Sequence, residues 1–102
     1  MRTLMKVQMA VERGNQALQS GRMPELMNGF MQETKPEAAY FYTENGRRTA
    51  LWIFDLKDSA QMPNLAERFF SELHAEVTFS PVMNIEDLKK GLQSLQAAHA
   101  VR

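Results

Sequence analysis

The run AAYFYTENGRRTALWIFDL, Ala38 to Leu56, limits the possible folds of this chain more than any other stretch. Two aromatic and β-branched segments flank Asn45-Gly46, the dipeptide preferred where a two-residue type I′ turn needs positive φ at both central positions. A turn there fixes the hairpin register. Glu44 opposes Arg47, Tyr42 opposes Thr49, Tyr40 opposes Leu51, and Ala38 opposes Ile53. Side chains alternate across a sheet, so one face carries Tyr40, Tyr42, Thr49, Leu51 and Ile53. The other carries Ala39, Phe41, Ala50, Trp52 and Phe54. Away from the turn both faces are largely apolar, and both need a cover.

The rest of the chain supplies the neighbours of this ribbon. Thr3 to Val11 alternates Met5, Val7 and Met9 against Lys6 and Gln8, the pattern of a strand with one apolar face. Gly14-Asn15 is expected to break it, with Asn15 capping a short helix through Gln19. After Gly21, Pro24 suits the start of a helix, and Leu26, Met27, Phe30 and Met31 follow at helical spacing until Pro36. Beyond the hairpin, Asp58 and Gln61 have capping-box spacing, and Leu65, Ala66, Phe69, Phe70 and Leu73 form an apolar helical stripe. Glu76 to Val82 reads as a last strand whose Pro81 assigns it to a sheet edge or a bulge. Asn84 and Asp87 then cap a helix with the narrow stripe Ile85, Leu88, Leu92, Leu95. The pattern Pro-x-Leu-x-x-x-Phe-apolar occurs at Pro24 and again at Pro63. This echo divides the chain into two βαβ halves. The expected fold is α+β, a ferredoxin-like βαββαβ plan with an extra C-terminal helix, filling residues 1–102 as one domain.

Composition narrows the partners. Of 102 residues 44% are hydrophobic and 24% charged, as in ordinary globular domains. Twelve basic residues balance twelve acidic ones, so no net field recruits nucleic acid or an anionic membrane. Arg47-Arg48 and Lys89-Lys90 are pairs, read as a hairpin tip and a solvated helix face. The absence of cysteine removes disulfides, thiol catalysis and thiolate metal sites. No apolar stretch has the length of a membrane span and no signal-peptide pattern opens the chain, so a cytoplasmic protein is expected. Nothing resembles a phosphate loop, a zinc-binding HExxH or a Ser-centred elbow, and no cofactor or metal is expected.

In a ferredoxin-like plan the helices cover one sheet face and leave the other open. The face with Ala39, Phe41, Ala50, Trp52 and Phe54 is expected under the helices. The other would expose Tyr40, Tyr42, Leu51 and Ile53, an apolar patch that a second subunit would cover through a two-fold contact. A homodimer with facing sheets is therefore expected.

The order of elements, the NG hairpin and the small size resemble the dimeric α+β barrel superfamily. That group includes small antibiotic-biosynthesis monooxygenases, muconolactone isomerases, haem-degrading monooxygenases and stress-responsive barrel proteins. The segments MKVQMAVERGNQAL, KPEAAYF, FDLKDSAQMPNLAERFF and SPVMNIEDLKKGL are similar to a bacterial family of about a hundred residues without an assigned function. The resemblance implies a barrel-like homodimer and a small hydrophobic ligand between sheet and helices. It brings no established activity.

Candidate chemistry is sparse. Glu12, His74 and Gln8 are the candidates for proton transfer. His74 reads first as a helix-end residue, where a cation complements the dipole; as a general base it would need a pocket and an orienting partner. Glu12, just past the first strand, reads first as a salt-bridge partner of Arg13 or a neighbouring helix. Lys6, Gln8, Tyr40, Tyr42 and Trp52 are the ligand-binding candidates. Lys6 and Gln8 would be polar groups of a cleft if their strand face looks into one, and solvated if it looks out. The tyrosines suit an interface or a ligand wall. The haem-degrading set of Asn, Trp and His is matched poorly, because Gln8 stands where an Asn belongs. Glu86-Asp87 reads as a helix-start pair rather than a metal site. The first functional reading is a homodimeric barrel that binds a small, partly apolar molecule. Its rivals are a cofactor-independent isomerase or monooxygenase acting on an aromatic or polyketide-like substrate, and a structural dimerisation module. An enzyme requires an enclosed cavity with converging polar groups, one of them titratable. A binding module requires only the cavity, and a structural module has a filled interior.

Overall fold

A computed structural model describes residues 1–101. The elements run β1 (Arg2–Gln8), α1 (Val11–Ser20), α2 (Arg22–Thr34), β2 (Ala38–Glu44), β3 (Arg47–Asp55), a 3-10 turn (Ser59–Gln61), α3 (Met62–Leu73), β4 (Glu76–Pro81) and α4 (Ile85–Val101). The strands form one antiparallel sheet in the order β2-β3-β1-β4. This is a ferredoxin-like α+β fold with an added C-terminal helix.

The hairpin has the expected register, from Glu44 opposite Arg47 to Ala38 opposite Ile53. Asn45 and Gly46 both take positive φ, 55° and 71°, as a type I′ turn demands. β1 lies in the centre of the sheet, so Met5 pairs with Trp52 and Val7 with Ala50 on one face. On that face Met5, Val7, Ala50 and Trp52 are fully buried beneath α1, α2 and α3. The echoed helices supply the cover: Leu26 and Phe30 from α2, Leu65 and Phe69 from α3, all buried. Phe30 and Phe69 meet at 5.5 Å between ring centroids, and each also packs on Trp52, at 4.2 and 5.6 Å. The repeated Pro-x-Leu-x-x-x-Phe pattern thus marks equivalent core-facing positions of two helices. Burying an aromatic of this size contributes about 1.5–3 kcal/mol from apolar area alone.

Three expectations need correction. β1 ends at Gln8 rather than running to Val11, and Gly14-Asn15 does not break the chain. Both residues lie inside α1, which starts at Val11 with Ala10 as an N-cap that offers no side-chain hydrogen bond. Glycine costs about 1 kcal/mol against alanine in a helix interior; here the bare Cα admits the Arg48 side chain, whose Nη1 lies 2.8 Å from where a Cβ would stand. Asn15 consequently caps nothing and instead accepts a hydrogen bond from Arg48 Nη2 at 3.0 Å. Phe41 is the third correction. It has the parity of the covered face but is 56% exposed, because it stands on the edge strand β2 near the turn, beyond the shelter of the helices.

The starts of α3 and α4 behave as their sequences specify. Asp58 and Gln61 close a reciprocal capping box before α3. Asn84 Oδ1 accepts from the Asp87 N–H at 2.8 Å while Asp87 Oδ2 accepts from the Asn84 N–H at 3.2 Å. Pro81 falls on edge strand β4, opposite Thr3. The two helices then diverge in their packing. Among the described residues α4 packs along no other element, and the chain has a radius of gyration of 17.0 Å and a longest dimension of 60 Å. A compact domain of this length has a radius of gyration of about 13 Å. Ile85, Leu92 and Leu95 stay at least half exposed. Only the root of the helix is tied down, by Arg2 Nη1 donating to Asp87 Oδ2 at 2.6 Å while Arg2 Nε donates to Glu37.

Candidate functional site

Sequence-predicted site residues fall on opposite sides of the sheet. Lys6 and Gln8 project from the face that no helix covers, with Tyr40, Tyr42, Thr49, Leu51 and Ile53 as neighbours by register. Their polar groups are spent within the sheet. Lys6 Nζ donates to Glu44 Oε2 at 2.8 Å, and Gln8 Nε2 donates to the Glu44 carbonyl at 3.0 Å and its carboxylate at 3.3 Å. The Glu44 hydrogen bond pushes the Lys6 ammonium above its ordinary value. This cluster clamps the tip of β2 to β1 across the intervening β3. Gln8 is nearly buried, whereas Tyr40 and Tyr42 are 62% and 40% exposed.

Trp52 belongs to the other face, sealed within the aromatic cluster of Phe30, Phe69 and Phe41. Its Nε1–H is buried without an acceptor among the described residues, a cost of about 1–3 kcal/mol that its ring packing offsets. Trp52 therefore does not join Lys6, Gln8 and Tyr40 in one site. Glu12 sits exposed in the first turn of α1, a position favoured by the helix dipole. It makes no ion pair among the described residues; Arg13 turns instead to the carbonyls of Ser71 and Glu72. His74 ends α3 in the left-handed region, φ 46°, with an exposed side chain that makes no hydrogen bond among the described residues. Among the described residues no hydrogen bond joins Gln8, Glu12 and His74, and Trp52 is fully buried while the His74 side chain is exposed. Among the described residues no group of three His, Asp or Glu side chains is placed to hold a metal ion.

An apolar recess lies elsewhere, between the hairpin and the α1–α2 corner. It is a cleft of about 310 Å³, open to solvent, walled by Met9, Leu18, Met23, Met27 and Phe41, with Tyr42, Thr43, Arg48 and Thr49 along the β-strands, so Tyr42 is a sequence-predicted ligand candidate that borders it. That volume is at the small end of the range of ligand sites, about 300–1,000 Å³. Among the described residues no carboxylate or histidine lines it. Its one charged wall, Arg48, crosses from β3 to α1 and rests on Gly14. As half of an apparent hairpin-tip pair, Arg48 does not stand out in the sequence as a site residue. A signal for it is nonetheless present: Arg48 has the parity of Ala50, Trp52 and Phe54, so it is a cation on the covered face. A glycine within a helical period is the matching mark on α1. Leu18 carries no comparable signal, and the Met23, Met27, Met31 series at helical spacing reads as core or interface before a binding groove.

A second recess of about 900 Å³ surrounds the root of α4, lined by Met1, Arg2, Pro81, Val82, Met83, Ile85 and Leu88 among others. It is an apolar corner between the helix and the sheet end, likewise open to solvent. The interior between sheet and helices is otherwise filled by the buried aromatic and aliphatic cluster.

Neither a protein-family model nor a curated protein matches the chain. Among solved structures it is similar to "De novo designed protein Ferredog-Diesel", with 9% identity, covering 79% of this chain and 85% of that one at a TM-score of 0.48. The ferredoxin-like assignment stands on the strand order and register described above. No helix among the described residues is long and apolar enough to cross a membrane.

Proposed function

We propose that this chain acts as a homodimer, in the manner of the dimeric α+β barrels, and binds a small, partly apolar molecule. The observation that carries the reading is α4. A capped helix with an apolar stripe projects from the body, and Ile85, Leu88, Leu92 and Leu95 are 62%, 39%, 50% and 54% exposed. The uncovered sheet face adds Tyr40 and Tyr42. Exposed apolar surface of this extent is one that soluble monomers avoid. A second copy is the occupant that fits. The chain's charges balance, so no field selects a charged partner. The Arg2–Asp87 contact roots the stripe at the end of the same sheet whose open face needs cover. Two-fold pairing lets each α4 and each open face serve the other subunit with one set of residues.

The ligand half of the reading rests on the Met9–Phe41 cleft, which has apolar walls and no titratable acid–base pair. That composition supports binding over turnover, and over the isomerase or monooxygenase alternative. A pure dimerisation module is the second reading, favoured by the filled space between sheet and helices. The cysteine-free composition suits a cytoplasmic setting.

Hydrogen exchange at increasing protein concentration tests the pairing. An isolated helix of this length is marginal in water, so α4 amides should exchange quickly at nanomolar concentration and gain protection at micromolar concentration. Concentration-independent exchange along α4 would refute the reading.

A further inference from the structure

The cleft beneath the hairpin carries a chemical preference in its one charged wall. Arg48 is half buried, and its guanidinium makes one side-chain hydrogen bond, to the neutral amide oxygen of Asn15. Among the described residues no carboxylate lies within ion-pair distance of it. Arg2, Arg22, Arg47 and Arg68, by contrast, each have a carboxylate partner. Arg13, also without one among the described residues, donates instead to the backbone carbonyls of Ser71 and Glu72 and lies outside this cleft. A guanidinium presents five N–H donors in a rigid fork suited to a carboxylate. Here that fork is held against α1 by a glycine that alanine would better replace on helix propensity. Its stem shares a recess with Met9, Leu18, Met23, Met27 and Phe41.

We propose that this cleft binds an organic monocarboxylate, its apolar body lying on the methionines, Leu18 and Phe41 and its carboxylate meeting Arg48. The inference rests on the ligand half of the function proposed above and names the chemical class of the ligand. Charge complementarity selects the class. An apolar recess binds a neutral hydrocarbon and its acid alike, whereas an Arg without an acidic partner adds charge-assisted hydrogen bonds for the acid alone. Volume sets the size, since 310 Å³ admits a short alkyl chain or a single aromatic ring system and excludes a polymer.

The test compares octanoate with 1-octanol, both below the concentration at which octanoate self-associates, by titration calorimetry on the wild-type chain and on Arg48→Gln. Octanoate should bind the wild type about tenfold or more tightly than 1-octanol, and the advantage should vanish in Arg48→Gln while 1-octanol binding persists. Gly14→Ala provides a second variant that keeps the charge: its Cβ displaces the guanidinium, so octanoate binding should weaken severalfold in a protein that stays folded by circular dichroism. Equal binding of the two probes to the wild type would overturn the carboxylate preference and leave the cleft a general apolar site. Binding of neither would overturn both this inference and the ligand reading beneath it. An octanoate preference that survives both substitutions would place the anion elsewhere and likewise overturn it.

Discussion

Helices α3 and α4 begin alike and end differently. Each opens on a reciprocal side-chain box, Asp58 with Gln61 and Asn84 with Asp87. Each carries apolar residues at helical spacing. In α3 the residues Leu65, Phe69 and Leu73 are almost completely buried, while in α4 the residues Ile85, Leu92 and Leu95 are at least half exposed. The difference lies downstream of the cap. β4 returns the chain into the sheet after α3, pinning that helix over Trp52, whereas among the described residues no element draws α4 back onto the body. An amphipathic pattern specifies a helix and a stripe; topology decides whether the same chain can cover the stripe.

The largest expected effect comes from the covered helix. Phe69→Ala should cost about 3–5 kcal/mol in urea denaturation, the usual range for a fully buried aromatic. A cost below about 1 kcal/mol would erase the contrast with α4. On the exposed helix, the double substitution Leu92→Glu with Leu95→Glu should leave the folded core and Trp52 fluorescence unchanged, yet render the denaturation midpoint independent of protein concentration. Loss of the core in that variant would show that α4 supports its own subunit after all.

The two caps sharpen the comparison further. Asp58→Ala should lower global stability by about 1 kcal/mol, because α3 is part of the cooperative core. Asn84→Ala, placed in the Leu92→Glu, Leu95→Glu background, should fray α4 in hydrogen exchange without a measurable change in global stability. Equal global losses would place both helices in one folding unit.

The smallest effect is electrostatic. α3 is tied to the start of α2 by Arg22, whose Nε and Nη2 donate to the Glu72 carboxylate at 2.7 and 2.8 Å, while the described α4 is held at its first turn by Arg2–Asp87 and beyond that has only the loose internal Glu86–Lys89 pair at 3.9 Å. The Arg22 hydrogen bond holds the Glu72 carboxyl below its ordinary value of 4.5. A depressed carboxylate pKa contributes stability that is complete above the unfolded value and lost as pH falls through the folded one. Both groups are partly solvated, so the contribution is about 0.2–1 kcal/mol. Glu72→Gln should flatten this part of the acid limb of the stability profile below pH 4.5, and an unchanged profile would discount the tie.

Legibility in the sequence followed the locality of the signal. The Asn45-Gly46 turn set the register of β2 and β3 to the residue, because turn geometry and side-chain alternation are local rules. The repeated Pro-x-Leu-x-x-x-Phe pattern located two core helices for the same reason. Gly14 misled because its use depends on Arg48, a residue 34 positions away that arrives from β3. Phe41 misled because parity identifies a face but not how far the helices extend over it. Lys6 and Gln8 were placed on the correct strand, and only the structure shows that Glu44 occupies them. The Arg48 cleft draws on the β1–α1 connection, α1, α2 and the hairpin at once, and no single segment of sequence contains it.

The mass of the chain in solution decides between a helix that waits for a twin and one that stands alone. Light scattering at tens of micromolar should give twice the 11.7 kDa of the single chain, falling to that single value for the Leu92→Glu, Leu95→Glu variant. A wild-type mass of 11.7 kDa at that concentration would contradict the account.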